Sequence, residues 1–281
     1  MVIPTVSSWD AVEPIIRGVL TALEPVDGEL LLASGAAEPP LLLPRNVARV
    51  RILYLPGADV FALRAAGIAA ARSEVVAVTE DHCRLPDDWC VRVRDLFAAD
   101  PKLEVLGGAV VNGSEQRLMD RANFRMTFAR FAPAALHAQT PCISNVAVRR
   151  RALPAAPAPG WFEFSFLPAS AASARTAMCS DIAVTHVQTH GRWWTPFAHF
   201  HNGRVSGAYR AKFGTLLGKG GLFRIANREM RTHLRATRAA LQAVGEKPGA
   251  LVAVQLLALA HAIGFVVGVR RGPGTSARHL V

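Results

Sequence analysis

Two carboxylates and an imidazole stand together where a buried strand is expected to end. The stretch VVAVTEDH, residues 75–82, runs from β-branched apolar residues directly into Glu80, Asp81 and His82. Hard carboxylate oxygens bind Mg²⁺ or Mn²⁺, and such a cation can neutralise a diphosphate. The stretch therefore predicts a divalent-metal and phosphate site. The alternative is a solvated polar loop in which Asp81 only caps the next turn.

Three further side chains could take part in chemistry. His186 ends the strand-like run AVTH, Glu163 lies among aromatic residues in GWFEF, and Arg64 lies on an Ala-rich helical segment. Each also has an ordinary structural interpretation. A histidine at a strand end is often a satisfied structural residue, a glutamate can cap a helix, and an arginine can be a surface cation.

The elements that must position these residues alternate along the first half of the chain. Such alternation predicts an α/β fold with a mainly parallel sheet covered by helices on both faces. Ligands of such sheets bind beyond the carboxyl ends of the strands, where Thr5 and Ser34 stand together with residues 80–82. The predicted strands are 2–5, 29–34, 50–55, 74–79, 104–111, 143–150 and 180–191. The predicted helices are 9–23, 60–72, 87–99, 115–130 and one within 161–177 that begins near Glu163.

Composition narrows the class of partner and the compartment. The net charge of +11 over 281 residues favours an anionic partner such as nucleotide phosphates or an acidic membrane face. The four cysteines form no CxxC pair, so we expect reduced thiols of a cytosolic protein. The amino terminus enters a predicted strand at once, and we therefore expect no signal peptide.

The carboxyl-terminal region differs in composition from the rest. Residues 204–247 contain ten Lys or Arg and two Glu, a local balance of +8, with apolar residues at three- or four-residue spacing. This pattern predicts a basic amphipathic helix. Residues 249–269 carry no charge and precede Arg270 and Arg271. As a helix of about 31 Å they could cross a bilayer core, lie in its interface or pack on the basic helix.

The order of these features resembles the inverting family 2 glycosyltransferases of GT-A fold. That family has a nucleotide-contacting Pro-Thr after its first strand, a D-D-G-S segment at the second, an A-R-N-x-G-I helix, and a strand ending in a D-x-D metal motif. The resemblance covers about residues 1–205. It is carried by VIPT, ELLLASG, LRAAGIAAARSEVVAVTEDH, PDDW and SNVAVRR.

The resemblance implies roles for individual donor-side residues. Pro4 and Thr5 would lie by the nucleotide base together with Ser34, and Arg64 would lie near the donor. Glu80 and Asp81 would face the ribose and diphosphate. Three side chains would bind the divalent metal, Mn²⁺ or Mg²⁺: Asp81, His82 and His186.

The resemblance also implies the acceptor side and the catalytic base. Asn145 and Arg149 would line the acceptor cavity, and Glu163 would be the base that removes the acceptor hydroxyl proton. The chain departs from the family pattern at both acidic motifs, and Ala65 replaces the Asn of R-N-x-G. Ala33-Ser34-Gly35-Ala36 replaces D-D-G-S, so the acid that reads uracil is missing. Glu-Asp-His replaces D-x-D, and imidazole binds softer metals well and Mg²⁺ poorly.

The resemblance therefore implies a glycosyltransferase. It would move a sugar from a nucleotide-diphosphate sugar, with inversion, to a lipid-linked or cell-envelope polysaccharide acceptor at the cytoplasmic face of the cell membrane. We expect a GT-A domain at 1–203, with a donor half at 1–112 and an acceptor half at 113–203, and membrane-associated helices at 204–281.

Three other functions were weighed against this prediction. A non-catalytic GT-A scaffold of an envelope polysaccharide complex is the main alternative. A nucleotidyltransferase is a weaker one, because VIPTVSSWD has no Gly-rich basic loop. No nucleic-acid partner is expected, since the basic residues cluster beside an apolar segment rather than in a recognition motif.

Overall fold

The computed structural model covers most of the chain. Within the carboxyl-terminal region, only seven positions between 216 and 247 are described, so the predicted basic amphipathic helix lies largely outside the described residues. The described residues are 1–38, 49–114, 117–136, 140–188, 191, 193–215, 224, 227–228, 230–231, 234–235 and 248–280.

An eight-stranded sheet forms the centre of the fold, and its order is β3-β2-β1-β4-β7-β6-β8-β5. The α/β class predicted from the sequence is confirmed. The sheet is parallel from β3 through β4 and changes direction at β7, which pairs antiparallel with both β4 and β6. The strands are β1 Val2–Thr5, β2 Leu30–Ser34, β3 Val50–Tyr54, β4 Val75–Thr79, β5 Cys83–Arg84, β6 Val105–Asn112, β7 Asn145–Arg149 and β8 Thr176–His186.

Seven α-helices accompany the sheet in the described residues. They are α1 Trp9–Leu23, α2 Val60–Ala70, α3 Trp89–Ala99, α4 Leu118–Phe128, α5 Leu167–Ser170, α6 Thr195–Lys212 and α7 Pro248–Arg271.

The α2 helix shows how local sequence positions a functional side chain. Asp59 precedes the helix, and its Oδ1 accepts hydrogen bonds from the backbone N–H groups of Phe61 and Ala62, both at 3.0 Å. A Cβ at Gly67 would lie 2.3 Å from a methyl carbon of Val2, so only glycine lets α2 approach β1 this closely. The capped start and this contact fix the helix over the first strand.

The predicted helix at 161–177 is wrong in its length and type. The structure has a π-helical turn at Phe162–Phe166, then the short α5, and β8 already begins at Thr176. Pro168 in the first turn of α5 has no backbone N–H to donate to the preceding turn, which fits a change of helix type there. The strand predicted at 180–191 accordingly starts earlier and ends at His186.

The described chain divides into two compact units. One comprises Met1–Val111 and Ala138–Val187, and the other comprises Asn112–His137 and Gln188–Val281. The first unit has a core of residues from the sheet and the segments that cover it, among them Val2, Ile68, Val78 and Val146. The domain boundary predicted at 203 stays a prediction, and α6 continues through that residue.

Candidate active site

Strand pairing in the first unit brings two distant segments to the end of β4. Residues 80–82 follow β4 directly, and β5 pairs with the end of β8 so that Cys83 lies opposite His186. The backbone N–H of Val187 donates to the carbonyl of His82 at 3.0 Å. His82 and His186 therefore become neighbours through backbone geometry, before any side-chain contact is considered.

Glu80, His82 and His186 form a compact group of potential metal ligands. The Nε2 atoms of the two histidines are 2.9 Å apart, and their rings meet edge to face at 90°. Glu80 Oε2 is 3.7 Å from His82 Nε2 and 3.8 Å from His186 Nε2. Two imidazole nitrogens and one carboxylate oxygen thus converge on one point, which is a donor set suited to Mn²⁺ or a softer divalent cation.

Asp81 contacts the other nitrogen of the His82 ring. Its Oδ1 lies 2.8 Å from His82 Nδ1, and its Oδ2 accepts a hydrogen bond of 2.6 Å from Thr5 Oγ1. A carboxylate in this position holds the proton on Nδ1 and leaves Nε2 to act as a ligand. Thr5, predicted to lie by the nucleotide base, is here the residue that fixes Asp81.

The electrostatics of the cluster favour ionised carboxylates. Burial by itself would raise the pKa of Glu80, but the charges of His82, His186 and Arg64, with a hydrogen bond from Ser144, lower it overall. Burial would likewise raise the pKa of Asp81, and its contacts with His82 and Thr5 lower it. The buried Asp81 and the partly buried Glu80 are therefore held in the charged form that a cation requires.

Arg64 and Glu163 form a buried ion pair near this cluster. Arg64 Nη1 contacts Glu163 Oε1, and the two side chains are 3% and 10% exposed. The charge of Arg64 also acts on Glu80 and His82. Arg64 Nε is buried and makes no hydrogen bond within the described residues. Two residues that are 99 positions apart in sequence, and that were predicted for donor binding and for catalysis, are thus in contact.

Comparison with known proteins places the fold. No protein-family model and no curated protein matches the chain. Among solved structures, the mannosyltransferase PcManGT from Pyrobaculum calidifontis in complex with GDP-Man and Mn²⁺ matches with a TM-score of 0.55 at 13% identity, covering 94% of this chain and 85% of that one. The fold is GT-A-like. A crystal structure of a mycobacterial protein also matches, with a TM-score of 0.47 and 15% identity over 78% of this chain and 75% of that one.

The remaining residues that the sequence predicts for donor binding lie at the strand ends of this GT-A-like sheet. Thr5 and Ser34 are paired in register at the ends of β1 and β2, one step beyond the pair formed by Pro4 and Ala33. Both Thr5 and Ser34 are buried. The sheet thus brings them to the same edge as the residues that follow β4, and their predicted contact with the nucleotide stays a prediction.

The two residues predicted to line the acceptor cavity make structural contacts. Asn145 is fully buried, and its Nδ2 donates to the carbonyls of Ala109 and Ile182 at 2.7 and 2.6 Å. Arg149 lies opposite Val75, at the beginning of β4 rather than at its end. Its guanidinium donates to backbone carbonyls, including that of Phe97 at 2.7 Å. Their role in acceptor binding stays a prediction, because these contacts stabilise the fold and give no support for acceptor binding.

Ser144 is a residue of the site that the sequence analysis missed. Its Oγ donates to Glu80 Oε2, while its carbonyl accepts a 2.7 Å hydrogen bond from Thr79 Oγ1. The antiparallel pairing of β7 with β4 is the feature that places Ser144 in the site. Since Asn145 lies opposite Thr79, the next step of the register places Ser144 opposite Glu80. Predicting this contact required the strand direction, and the sequence alone favoured a parallel sheet.

Proposed function

We propose that this protein is a glycosyltransferase that uses a nucleoside-diphosphate sugar and a divalent metal. The observation that carries the proposal is the convergence of Glu80, His82 and His186 at the end of β4 in a GT-A-like fold. The solved mannosyltransferase of similar fold is in complex with GDP-Man and Mn²⁺, which makes this pair the first donor and metal to test.

The metal would be held by Glu80, His82 and His186, with Asp81 orienting His82. A bound divalent cation supplies positive charge that stabilises the departing diphosphate. The two imidazoles favour Mn²⁺ over Mg²⁺ as the occupant. Asp81, for which the sequence suggested direct ligation, acts in this proposal through His82.

Arg64 is the second positive charge that we assign to the donor. Its Nη1 holds Glu163, and its Nε has no partner within the described residues. An arginine buried beside a carboxylate keeps its charge, and its planar donors match phosphate oxygens. We therefore assign Arg64 to the donor diphosphate as well as to the positioning of Glu163.

Glu163 is the residue that we propose as the catalytic base. In an inverting transfer, the acceptor oxygen attacks the sugar C1 while the C1–O bond to the diphosphate breaks. The proton of the acceptor hydroxyl passes to a carboxylate. The ion pair with Arg64 engages Oε1 of Glu163, and we assign Oε2 to receive that proton.

Pro4, Thr5 and Ser34 complete the proposed donor site on the nucleotide side. For the acceptor, we propose a lipid-linked or cell-envelope glycan reached at the cytoplasmic face of a membrane. The net charge of +11 and one carboxyl-terminal helix that is long and apolar enough to cross a membrane support this location.

Donor binding tests the proposal directly. Purified protein is titrated with GDP-mannose and with uridine and adenosine diphosphate sugars, each with and without Mn²⁺. We expect saturable binding of at least one donor that strengthens with Mn²⁺. Failure of every donor to bind under both conditions would end the transferase proposal and favour a scaffold.

The role of Glu163 needs a separate measurement. Glu163→Gln keeps a carbonyl oxygen that can accept from Arg64 but removes the proton acceptor. We expect the variant to bind the donor with nearly unchanged affinity and to lose turnover, measured as transfer or as slow donor hydrolysis. Turnover equal to that of the parent would remove Glu163 as the base.

A further inference from the structure

The second unit exposes a narrow apolar stripe along α7. Val252, Leu256, Leu259 and Ile263 are between 50% and 58% exposed. Their spacing of four, three and four residues places them within about 60° of one another around the helix and along about 16 Å of its axis. Arg270, about five turns beyond Val252, lies on the same line and is also exposed.

The opposite side of α7 packs backbone to backbone against α6. A Cβ at Gly203 would lie 2.0 Å from the carbonyl oxygen of His261, and a Cβ at Gly264 would lie 2.0 Å from that of Phe200. Gly207 and Gly268 make the same kind of approach one turn further along each helix. The two helices therefore run parallel, joined by two glycine pairs with a spacing of four.

The first half of α7 is also buried on the side opposite the stripe, and there it packs against α4. Val254, Leu257 and Ala258 form a core cluster with residues of α4, and Met230 and Leu234 pack on it. About half of the apolar segment Val252–Arg271 is consequently covered by protein. The stripe is the apolar part of α7 that stays exposed.

These contacts oppose the idea that α7 crosses a bilayer. Its partner α4 carries Asp120, Arg121 and Arg125, and its partner α6 carries His199 and His201. If α7 spanned a membrane, these helices would bring their ionisable groups into hydrocarbon, at a cost of about 2.5–3.5 kcal/mol for each charged residue near the centre. A helix lying flat keeps them outside.

We infer that α7 docks the protein on the surface of an anionic lipid bilayer, with its axis in the plane of the interface and the stripe of Val252, Leu256, Leu259 and Ile263 inserted below the headgroups. This inference deepens the membrane location in the proposed function by naming the surface and its orientation.

Charge and aromatic content support a lipid surface as the occupant. Four arginines of the same unit are exposed, and their spacing of four, three and four residues equals that of the stripe. They are Arg224, Arg228, Arg231 and Arg235. Cationic side chains bind anionic lipid at about 1 kcal/mol each. Trp193 and Phe197 are also exposed, and the parallel packing places the start of α6 level with the first half of α7. Exposed tryptophan is typical of membrane interfaces.

Co-sedimentation with vesicles tests the inference on the full chain. The vesicles are phosphatidylcholine alone and phosphatidylcholine mixed with phosphatidylglycerol. We expect binding to the mixed vesicles, weakening with salt, and release by alkaline carbonate. Leu256→Asp combined with Ile263→Asp should lower the apparent affinity roughly tenfold or more, because two charges would replace the inserted side chains. The matched control is Leu55→Asp in the first unit, which changes a side chain of 40% exposure and should bind like the parent.

Four outcomes would overturn the inference. They are no sedimentation with either vesicle, equal binding of the double variant, extraction only by detergent, or a parent dimer that the double variant splits into monomers. The last would show that a second copy covers the stripe. Vesicle binding is measured without nucleotide, and donor binding is measured without a membrane. The two experiments therefore distinguish failure of this inference from failure of the proposed transferase activity.

Discussion

Replacing Asp81 by Asn should weaken divalent metal binding, although Asp81 is not one of the three converging ligands. Asp81 accepts hydrogen bonds of 2.6 Å from Thr5 Oγ1 and 2.8 Å from His82 Nδ1. Asparagine offers one acceptor oxygen and one N–H₂ donor in their place. If the N–H₂ faces Nδ1, the proton of His82 moves to Nε2, which is the atom that must bind the metal.

The size of the effect follows from this geometry. Loss of the partner that orients a metal-binding histidine typically costs roughly 10- to 100-fold in affinity. That range corresponds to about 1.4–2.8 kcal/mol of binding free energy. A direct ligand removed by His82→Ala should cost more, because one of three donors is then missing.

Calorimetric titration of Mn²⁺ into the parent, Asp81→Asn and His82→Ala measures both effects. The matched control is Asp120→Asn, which changes another buried carboxylate, on α4 and in the other unit, and should leave Mn²⁺ affinity unchanged. Parent-like affinity in Asp81→Asn would refute the positioning role. A loss as complete as that of His82→Ala would instead show that Asp81 is a direct ligand.

Three further predictions concern the ion pair, the helix contact and the thiols. Arg64→Met should lower the free energy of unfolding in urea by about 3–5 kcal/mol, because Glu163 is left buried and unpaired. The double variant Arg64→Met with Glu163→Leu should recover most of that stability. Equal losses of stability in the single and the double variant would contradict the pairing. Gly203→Ala should destabilise the fold by about 1–3 kcal/mol, because the added Cβ would clash with the carbonyl of His261. Gly18→Ala, with open space around it, should stabilise the fold by about 0.5–1 kcal/mol. Melting temperatures that shift in the same direction in both variants would refute the close contact of the two helices. Cys179 should react first with a thiol reagent, since the other three cysteines are buried. Burial also raises the pKa of the Cys83 thiol and raises that of Cys90 to about 11. Labelling of all four cysteines at the same rate would contradict this prediction.

The sequence predicted the order of the elements well, because each has a strong local pattern. VIPT and VVAVT are apolar runs rich in β-branched residues, and they form β1 and β4. The prediction for 161–177 failed because the local helical pattern did not show that the helix ends at Ser170 and that β8 begins at Thr176. The strand β8 forms by pairing with distant strands, and local signals do not carry such long-range information.

The candidate site was predictable in its residue types but not in its contacts. The acidic strand end and His186 could be named from sequence order. The partners of those side chains depended on strand direction and on packing between distant segments. Ser144 reaches Glu80 only because β7 runs antiparallel to β4, and Glu163 meets Arg64 across 99 residues.

The Arg64–Glu163 pair changes how the base should be tested. The glutamate predicted to be the catalytic base is held by a buried guanidinium. Any substitution of Glu163 therefore alters the environment of the residue assigned to the diphosphate. Donor affinity has to be measured beside turnover, because a loss of turnover alone would not separate proton transfer from donor binding.

The central claim is that Glu80, His82 and His186 hold a metal that binds the diphosphate of a nucleotide donor. The most direct measurement is calorimetric titration of GDP, with and without Mn²⁺, into the parent and into a variant carrying His82→Ala and His186→Ala. We predict that Mn²⁺ raises the affinity of the parent for GDP tenfold or more, which corresponds to about 1.4 kcal/mol of binding free energy. We predict no effect of Mn²⁺ on GDP affinity in the variant. Nucleotide binding that responds to Mn²⁺ equally in both proteins would contradict the account.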